Sequence, residues 1–217
     1  MNLLEQANRY NIWWRARPSL SPVGSIPLNE ELGRQTADYF EATPHNPNDL
    51  RVRQAYDAMK RDIKSQWTYA SRVMGIQFIP TRGDPYSSSQ DMIDDVTNNH
   101  RLRIFTGGTM PPDHPLAAID PDTGLSYNVM FRGVHDLFGH AAHGNQFGPI
   151  GERRAFAAHA QMFQTKAIPA LAFETHAQNS WFNFGKHIRN AGRFIAPERR
   201  PFPPQKANVL PERYYRF

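Results

Sequence analysis

The chain of 217 residues carries 25 lysines and arginines against 20 acidic groups, a formal charge of +5, and no cysteine. That length fits one domain with a sizeable core. Without cysteine there are no disulfide staples, thiolate nucleophiles or thiolate ligands, so a metal would have to sit among nitrogen and oxygen donors.

Residues 1–28 read as an extended arm, because "RPSLSPVGSIP" brings three prolines and a glycine that oppose a helix. Trp13 and Trp14 would dock that arm. "NEELGRQTADYFEAT" reads as a helix and "TPHNPND" as a loop. A long helical pattern follows over 50–74, where Val52, Tyr56, Met59, Ile63, Trp67 and Ala70 recur at three- and four-residue steps, with Gly75 as its stop. "IQFIP" reads as a strand. "SSSQDMIDDVTNN" reads as a short helix opened by Ser87 and Gln90 in capping-box spacing. "RLRIF" reads as a second strand, ended by Gly107 and Gly108.

After a loop rich in proline and aspartate come three helical patterns, over 127–142, 151–165 and 167–184, with Pro169 tolerated in a first turn. Beyond Gly192 the chain is again proline-rich. It is also basic: Arg199, Arg200, Lys206, Arg213 and Arg216 stand against Glu198 and Glu212. Such a tail can meet nucleic acid or an acidic partner, or lie solvated. The expected fold is mainly α, an α+β chain with a small two-stranded element. A single helical domain over 29–192 would carry extended arms at 1–28 and 193–217, which could wrap their own domain or a neighbouring subunit.

"HDLFGHAAHG" places His135, His140 and His143 in ten residues. On a straight helix His135 and His140 diverge by about 140°, and His135 and His143 by about 80°. Either the helix stops near Gly139 and His140 swings back, or His143 is the partner of His135. The third helical pattern, "ALAFETHAQNSW", sets Glu174, Gln178 and Trp181 on one stripe. A buried polar stripe needs partners. Two imidazoles and a carboxylate around a metal would supply them, the ligand set of non-heme iron(II) oxygenases.

The plainer readings are a hydrogen-bonded histidine pair, a helix-end His143, and an ion pair of Glu174 with Arg132 or Arg189. Glu152 and His159 share a face, but the Glu-x-x-His spacing of bundle di-iron sites is absent. Glu152 therefore reads as a helix-start carboxylate complementing the dipole. Asp136 reads as an acceptor that orients a ligand imidazole. Gln178 and Asn179 would read a substrate amide or base edge, or bond helix to helix.

"HDLFGH" resembles the H-E-L-L-G-H segment of the pterin-dependent aromatic amino acid hydroxylases, over roughly residues 130–181. The resemblance implies an iron site made by His135, His140 and Glu174. Asp136 stands where that family has glutamate, the chain is shorter than its catalytic domain, and no pterin-stacking aromatic or carboxylate-gripping arginine is placed. Pterin is therefore not carried over.

"NVMFRGVHDLFGHAAHGNQFGPIGE", "ETHAQNSWFNFG" and "QKANVLPE" resemble an uncharacterised domain found in bacteriophages and inside very large phage polyvalent proteins, over roughly residues 80–212. This implies a phage or mobile-element origin and no particular reaction. Together the resemblances imply a mononuclear Fe(II) protein, with Zn or Mn as variants, that hydroxylates a small-molecule or macromolecular substrate with Asp136 and Gln178 as catalytic candidates. The alternative is a non-enzymatic phage structural or assembly protein with a structural or vestigial metal site. No apolar run reaches the roughly 20 residues that span a bilayer, and the N-terminus lacks a signal-peptide core. The expected location is the host cytoplasm or the virion.

Overall fold

The apolar stripe of residues 50–74 becomes α3 (Leu50–Arg72) in the computed structural model, which describes residues 1–14 and 29–216. Asp49 opens the helix by accepting from the backbone N–H groups of Arg51 and Val52, satisfying donors that have no partner inside the first turn. All six stripe residues are buried. The other elements assemble around this rod.

β1 (Gln77–Thr81), α4 (Ser89–Asn99) and β2 (Arg101–Phe105) make one strand–helix–strand unit. Its two strands pair in parallel, in register from Gln77 opposite Arg101 to Thr81 opposite Phe105. The cap of α4 is Ser88, one residue beyond the expected Ser87, because Ser88 accepts from the Asp91 N–H. Among the described residues this is the only sheet, and the fold is mainly α.

The half of the chain that carries the histidines folds as α5 (Tyr127–His135), a π turn (Asp136–His140), a 3-10 turn (Ala141–His143) and α6 (Pro149–Ala160). Then α7 (Ile168–Ala172), a second π turn (Phe173–Ala177) and α8 (Gln178–Phe184) follow one another without a break. α5 and α7 pack on α3, α6 on the first π turn, and α2 (Glu30–Ala42) on α8.

Two parts of the arms are structured. Residues 3–14 form α1 (Leu3–Trp14), with Leu3, Ala7 and Tyr10 buried. These apolar positions at three- and four-residue steps were outweighed in the sequence reading by the prolines beyond them; residues 15–28 lie outside the described residues. The Tyr10 ring lies 6.2 Å from that of Phe138, so α1 backs directly onto the histidine segment.

At the other end Ala207, Leu210 and Tyr215 are buried in the core. The Leu210 N–H donates to the Pro169 carbonyl at 2.9 Å. Lys206 Nζ donates to the carbonyls of Phe40 and Thr43 at 2.7 and 2.8 Å, closing the C-terminus of α2. The C-terminal segment is therefore laid back on its own domain by ordinary burial and capping. No helix among the described residues is long and apolar enough to cross a membrane.

Candidate metal centre

The five-residue spacing of His135 and His140 is reconciled by the π turn between them. The Ala141 N–H reaches the Asp136 carbonyl five residues back, the i→i+5 pattern that widens a helix locally. The helix neither stops at Gly139 nor turns to His143. His140 comes round beside His135, their rings edge to face with centroids 5.2 Å apart. Gly139 makes room for this: a Cβ there would lie 3.1 Å from the Ala155 carbonyl oxygen and 3.2 Å from the His135 ring.

Asn145 ties down the end of the turn. Its Nδ2 donates to the Gly139 carbonyl at 2.8 Å, and its own carbonyl lies 3.1 Å from His140 Nδ1. A carbonyl can only accept, so His140 carries a proton on Nδ1 and turns Nε2 inward. The same logic fixes His135 through a longer chain. Gln66 Nε2 donates to the Met162 carbonyl at 3.0 Å. Gln66 Oε1 therefore accepts from His159 Nε2 at 2.7 Å. His159 Nδ1 is then an acceptor, and takes the proton of His135 Nδ1 at 3.1 Å. His135 Nε2 is left with its lone pair, buried and without a hydrogen-bond partner among the described residues. Partners on the outer nitrogens of this kind are what hold imidazoles in position as metal ligands.

Glu152, in the first turn of α6, supplies the facing charge. Its carboxylate oxygens stand 3.5 Å from His140 Nε2 and 3.8 Å from His135 Nε2. One ligand atom from each of His135, His140 and Glu152 lies within 4.8 Å of the others, and the three can hold a metal ion.

The electrostatics agree. Burial opposes charging His140, yet Glu152, Asp136 and the Asn145 carbonyl outweigh it and raise the imidazole to about 9. Burial likewise opposes charging Glu152, but the two histidines hold its carboxyl well below the usual range. The site binds a proton where a cation would otherwise sit. His159 goes the other way: burial, then the neighbouring imidazoles, push it far down, which keeps it a neutral acceptor.

Glu174 is placed elsewhere. It lies in the second π turn, and its carboxylate accepts from the Tyr56 hydroxyl and, at 2.9 Å, from Gln178 Nε2. His114 Nε2 stands 3.1 Å away as an ion-pair neighbour, and His114 Nδ1 accepts from the Leu116 N–H. The structure thus brings Glu152, not Glu174, to the two histidines. Neither arginine considered for Glu174 hydrogen-bonds it. Arg132 donates to the carbonyls of Phe105 and Gly107, both at 2.8 Å, and Arg189 pairs with Asp38. Asp136 does not orient an imidazole either, because His159 and Asn145 take both outer nitrogens. His143 ends the 3-10 turn, outside the cluster.

A cleft of about 390 Å³ connects the two groups. His135, Asp136 and Glu152 line it together with Glu174 and Gln178, and Phe202, Pro203 and Gln205 of the C-terminal segment complete the wall. Sequence reasoning missed Gln66, His114 and Asn145 altogether and placed Tyr56 only as a stripe residue of the long helix. It noticed Glu152 and His159 as one helix face but did not join them to the histidine segment. No family model, curated protein or solved structure matches the chain.

Proposed function

We propose that this protein is a mononuclear non-heme metalloenzyme that holds a divalent first-row metal at His135, His140 and Glu152 and acts on a substrate seated in the adjoining cleft. The observation that carries this reading is His135 Nε2, a buried lone pair with no hydrogen-bond partner among the described residues, fixed in direction by a hydrogen-bond chain ending on a backbone carbonyl. Two neutral imidazoles and one carboxylate favour Fe(II), with Zn(II) and Mn(II) also compatible with the donors.

Three protein donors leave positions free toward the cleft, which a metal that only tied helices together would not require. Bound iron would supply dioxygen activation beside the substrate. Hydroxylation would draw two further electrons from an external reductant. His159 and Asn145 orient the ligand imidazoles, Glu152 balances the cation's charge, and Asp136 and Gln178 line the cleft as groups available to the substrate. The resemblance over residues 80–212 supports a phage or mobile element as the source.

The test is anaerobic loading with Fe(II), followed by nitric oxide as a dioxygen surrogate and electron paramagnetic resonance. About one iron per chain and a high-spin iron–nitrosyl signal, both lost in His135→Ala, are expected. Protein that retains neither iron nor zinc after loading overturns the metal reading. Iron that binds but gives no nitrosyl signal overturns the open site.

A further inference from the structure

The cleft beside the metal centre carries its own recognition chemistry. Three rings, Phe131, Phe182 and Phe202, and four carboxamides, Asn128, Gln178, Asn179 and Gln205, line it. The orientation of two carboxamides is fixed by their neighbours. Arg200 can only donate, and its NH1 meets Asn183 Oδ1 at 2.7 Å. Asn183 Nδ2 therefore faces Asn179, donating to its backbone carbonyl at 3.0 Å and to its Oδ1 at 3.2 Å. Asn179 is left with Nδ2 as a donor. Gln205 Nε2 donates to the Pro203 carbonyl at 3.0 Å and to Gln178 Oε1 at 3.2 Å, which uses both its protons and leaves Oε1 as an acceptor. The wall thus offers one donor and one acceptor of settled identity between aromatic rings.

An aliphatic ligand would strand those carboxamides, and an unpaired buried polar group is costly. Away from the metal, an anionic group would meet Asp136 and Glu174 with Arg132 as the one cationic side chain of the lining. A flat, uncharged ring with donors and acceptors on its edge meets both constraints. Nucleobases have that character: they stack on aromatic side chains and pair their edges with Asn and Gln. The mouth suits what a base is attached to. Phe202, a lining residue that is 58% exposed, marks the solvent side, where the sugar and phosphate of a base would emerge.

Resting on the proposed metal centre, we infer that its substrate side takes a nucleobase, presented by a nucleotide or a single strand, with the sugar and phosphate toward the exposed Phe202. A volume of about 390 Å³ falls in the ordinary range for small-molecule sites.

The experiment is isothermal titration of the full chain, metal-free and Zn-loaded. The probes are the four deoxynucleoside 5′-monophosphates, single-stranded decamers of dA and dT, and ribose 5-phosphate as a base-free control. At least one mononucleotide or decamer should bind and ribose 5-phosphate should not. Asn179→Ala and Phe182→Leu should each weaken binding by about tenfold, with zinc affinity and the unfolding midpoint of Asn179→Ala unchanged. Binding by the mononucleotide identifies a free nucleotide as the source, and binding by decamers alone identifies a strand. Three results overturn the inference: no binding by any base-containing probe, equal binding of ribose 5-phosphate, or strand binding that survives both substitutions. Base binding by a chain that takes up no metal overturns the proposed function and leaves the base site standing.

Discussion

His135 and His159 meet through their Nδ1 atoms at 3.1 Å, and the carbonyl of Met162 decides which of them carries the proton. The chain runs from that carbonyl through Gln66 and His159, so α3 and α6 set the direction of a lone pair at the end of α5. His159→Phe keeps an aromatic ring against Phe131 and Phe163 but removes the acceptor. Metal affinity should then fall about 10–100-fold, and stability by about 1–3 kcal/mol as Gln66 and His135 lose their partner. Chelator competition and a denaturation midpoint read the two effects separately. Unchanged affinity would show that the chain does not hold the ligand.

Glu152, where the sequence expectation had Glu174, faces the two histidines, and a pair of conservative changes separates the two carboxylates. Glu152→Gln removes the charge facing both Nε2 atoms, so metal affinity should fall sharply. Glu174→Gln should leave affinity nearly unchanged. It gives Tyr56 and Gln178 one acceptor oxygen where the carboxylate offers two, and removes the charge beside His114, which should cost about 1–3 kcal/mol of stability. The opposite outcome, affinity lost in Glu174→Gln and kept in Glu152→Gln, would restore Glu174 as the ligand.

The reason for that difference shows what the sequence can carry. Periodicity placed α3 and its buried stripe from Val52 to Ala70, because local spacing maps directly onto a helix face. It also marked Glu174 and Gln178 as a polar stripe in need of partners. The partners themselves come from far along the chain: Tyr56 is 118 residues from Glu174. Nothing local specifies them. The π turn escaped for a different reason, since the 100° step assumes the i→i+4 ladder that Asp136–His140 abandons. With that turn unseen, His135 and His140 looked misaligned, and Glu152 had no visible site to join.

The proton that stands in for a cation gives the site a pH signature. His140 is raised to about 9 from 6.5, so its contribution to the stability of the metal-free protein is full below about pH 6.5 and lost as pH climbs through 9. Glu152 is depressed from 4.5, so its contribution is present above about pH 4.5 and lost in acid. The pair should support the metal-free fold best between about pH 4.5 and 6.5. Metal must displace the His140 proton, so zinc affinity should rise by up to about tenfold per pH unit until roughly pH 9. Titration in buffers of different ionisation enthalpy should show about one proton released per zinc at pH 7. No proton release would mean that His140 is already neutral or is not a ligand.

Gly139→Ala tests the turn itself. The added methyl group would press on the Ala155 carbonyl at 3.1 Å and on the His135 ring at 3.2 Å. The backbone of α6 is held by its own hydrogen bonds, so the ring is the part that gives. Overpacking of this kind costs about 1–3 kcal/mol, and the displaced imidazole should lower metal affinity more than the fold loss alone explains. Affinity and midpoint both at the wild-type level would mean that the turn relaxes without moving His135.

The C-terminal segment should behave as core, and Leu210 is the residue that decides it. Its side chain is fully buried, and its backbone N–H is bonded to Pro169, in the first turn of α7. Leu210→Ala should cost about 2–5 kcal/mol, the range for a buried leucine whose cavity only partly collapses. A segment that merely rested on the surface would lose less than about 1 kcal/mol. The same segment carries Gln205 and Phe202 to the cleft, so loosening it should weaken any cleft ligand while His135, His140 and Glu152, all held by other elements, keep their metal. A denaturation midpoint with parallel zinc and nucleotide titrations on Leu210→Ala gives all three answers. A large loss of zinc affinity with the fold intact would show that the wall and the metal centre are one unit.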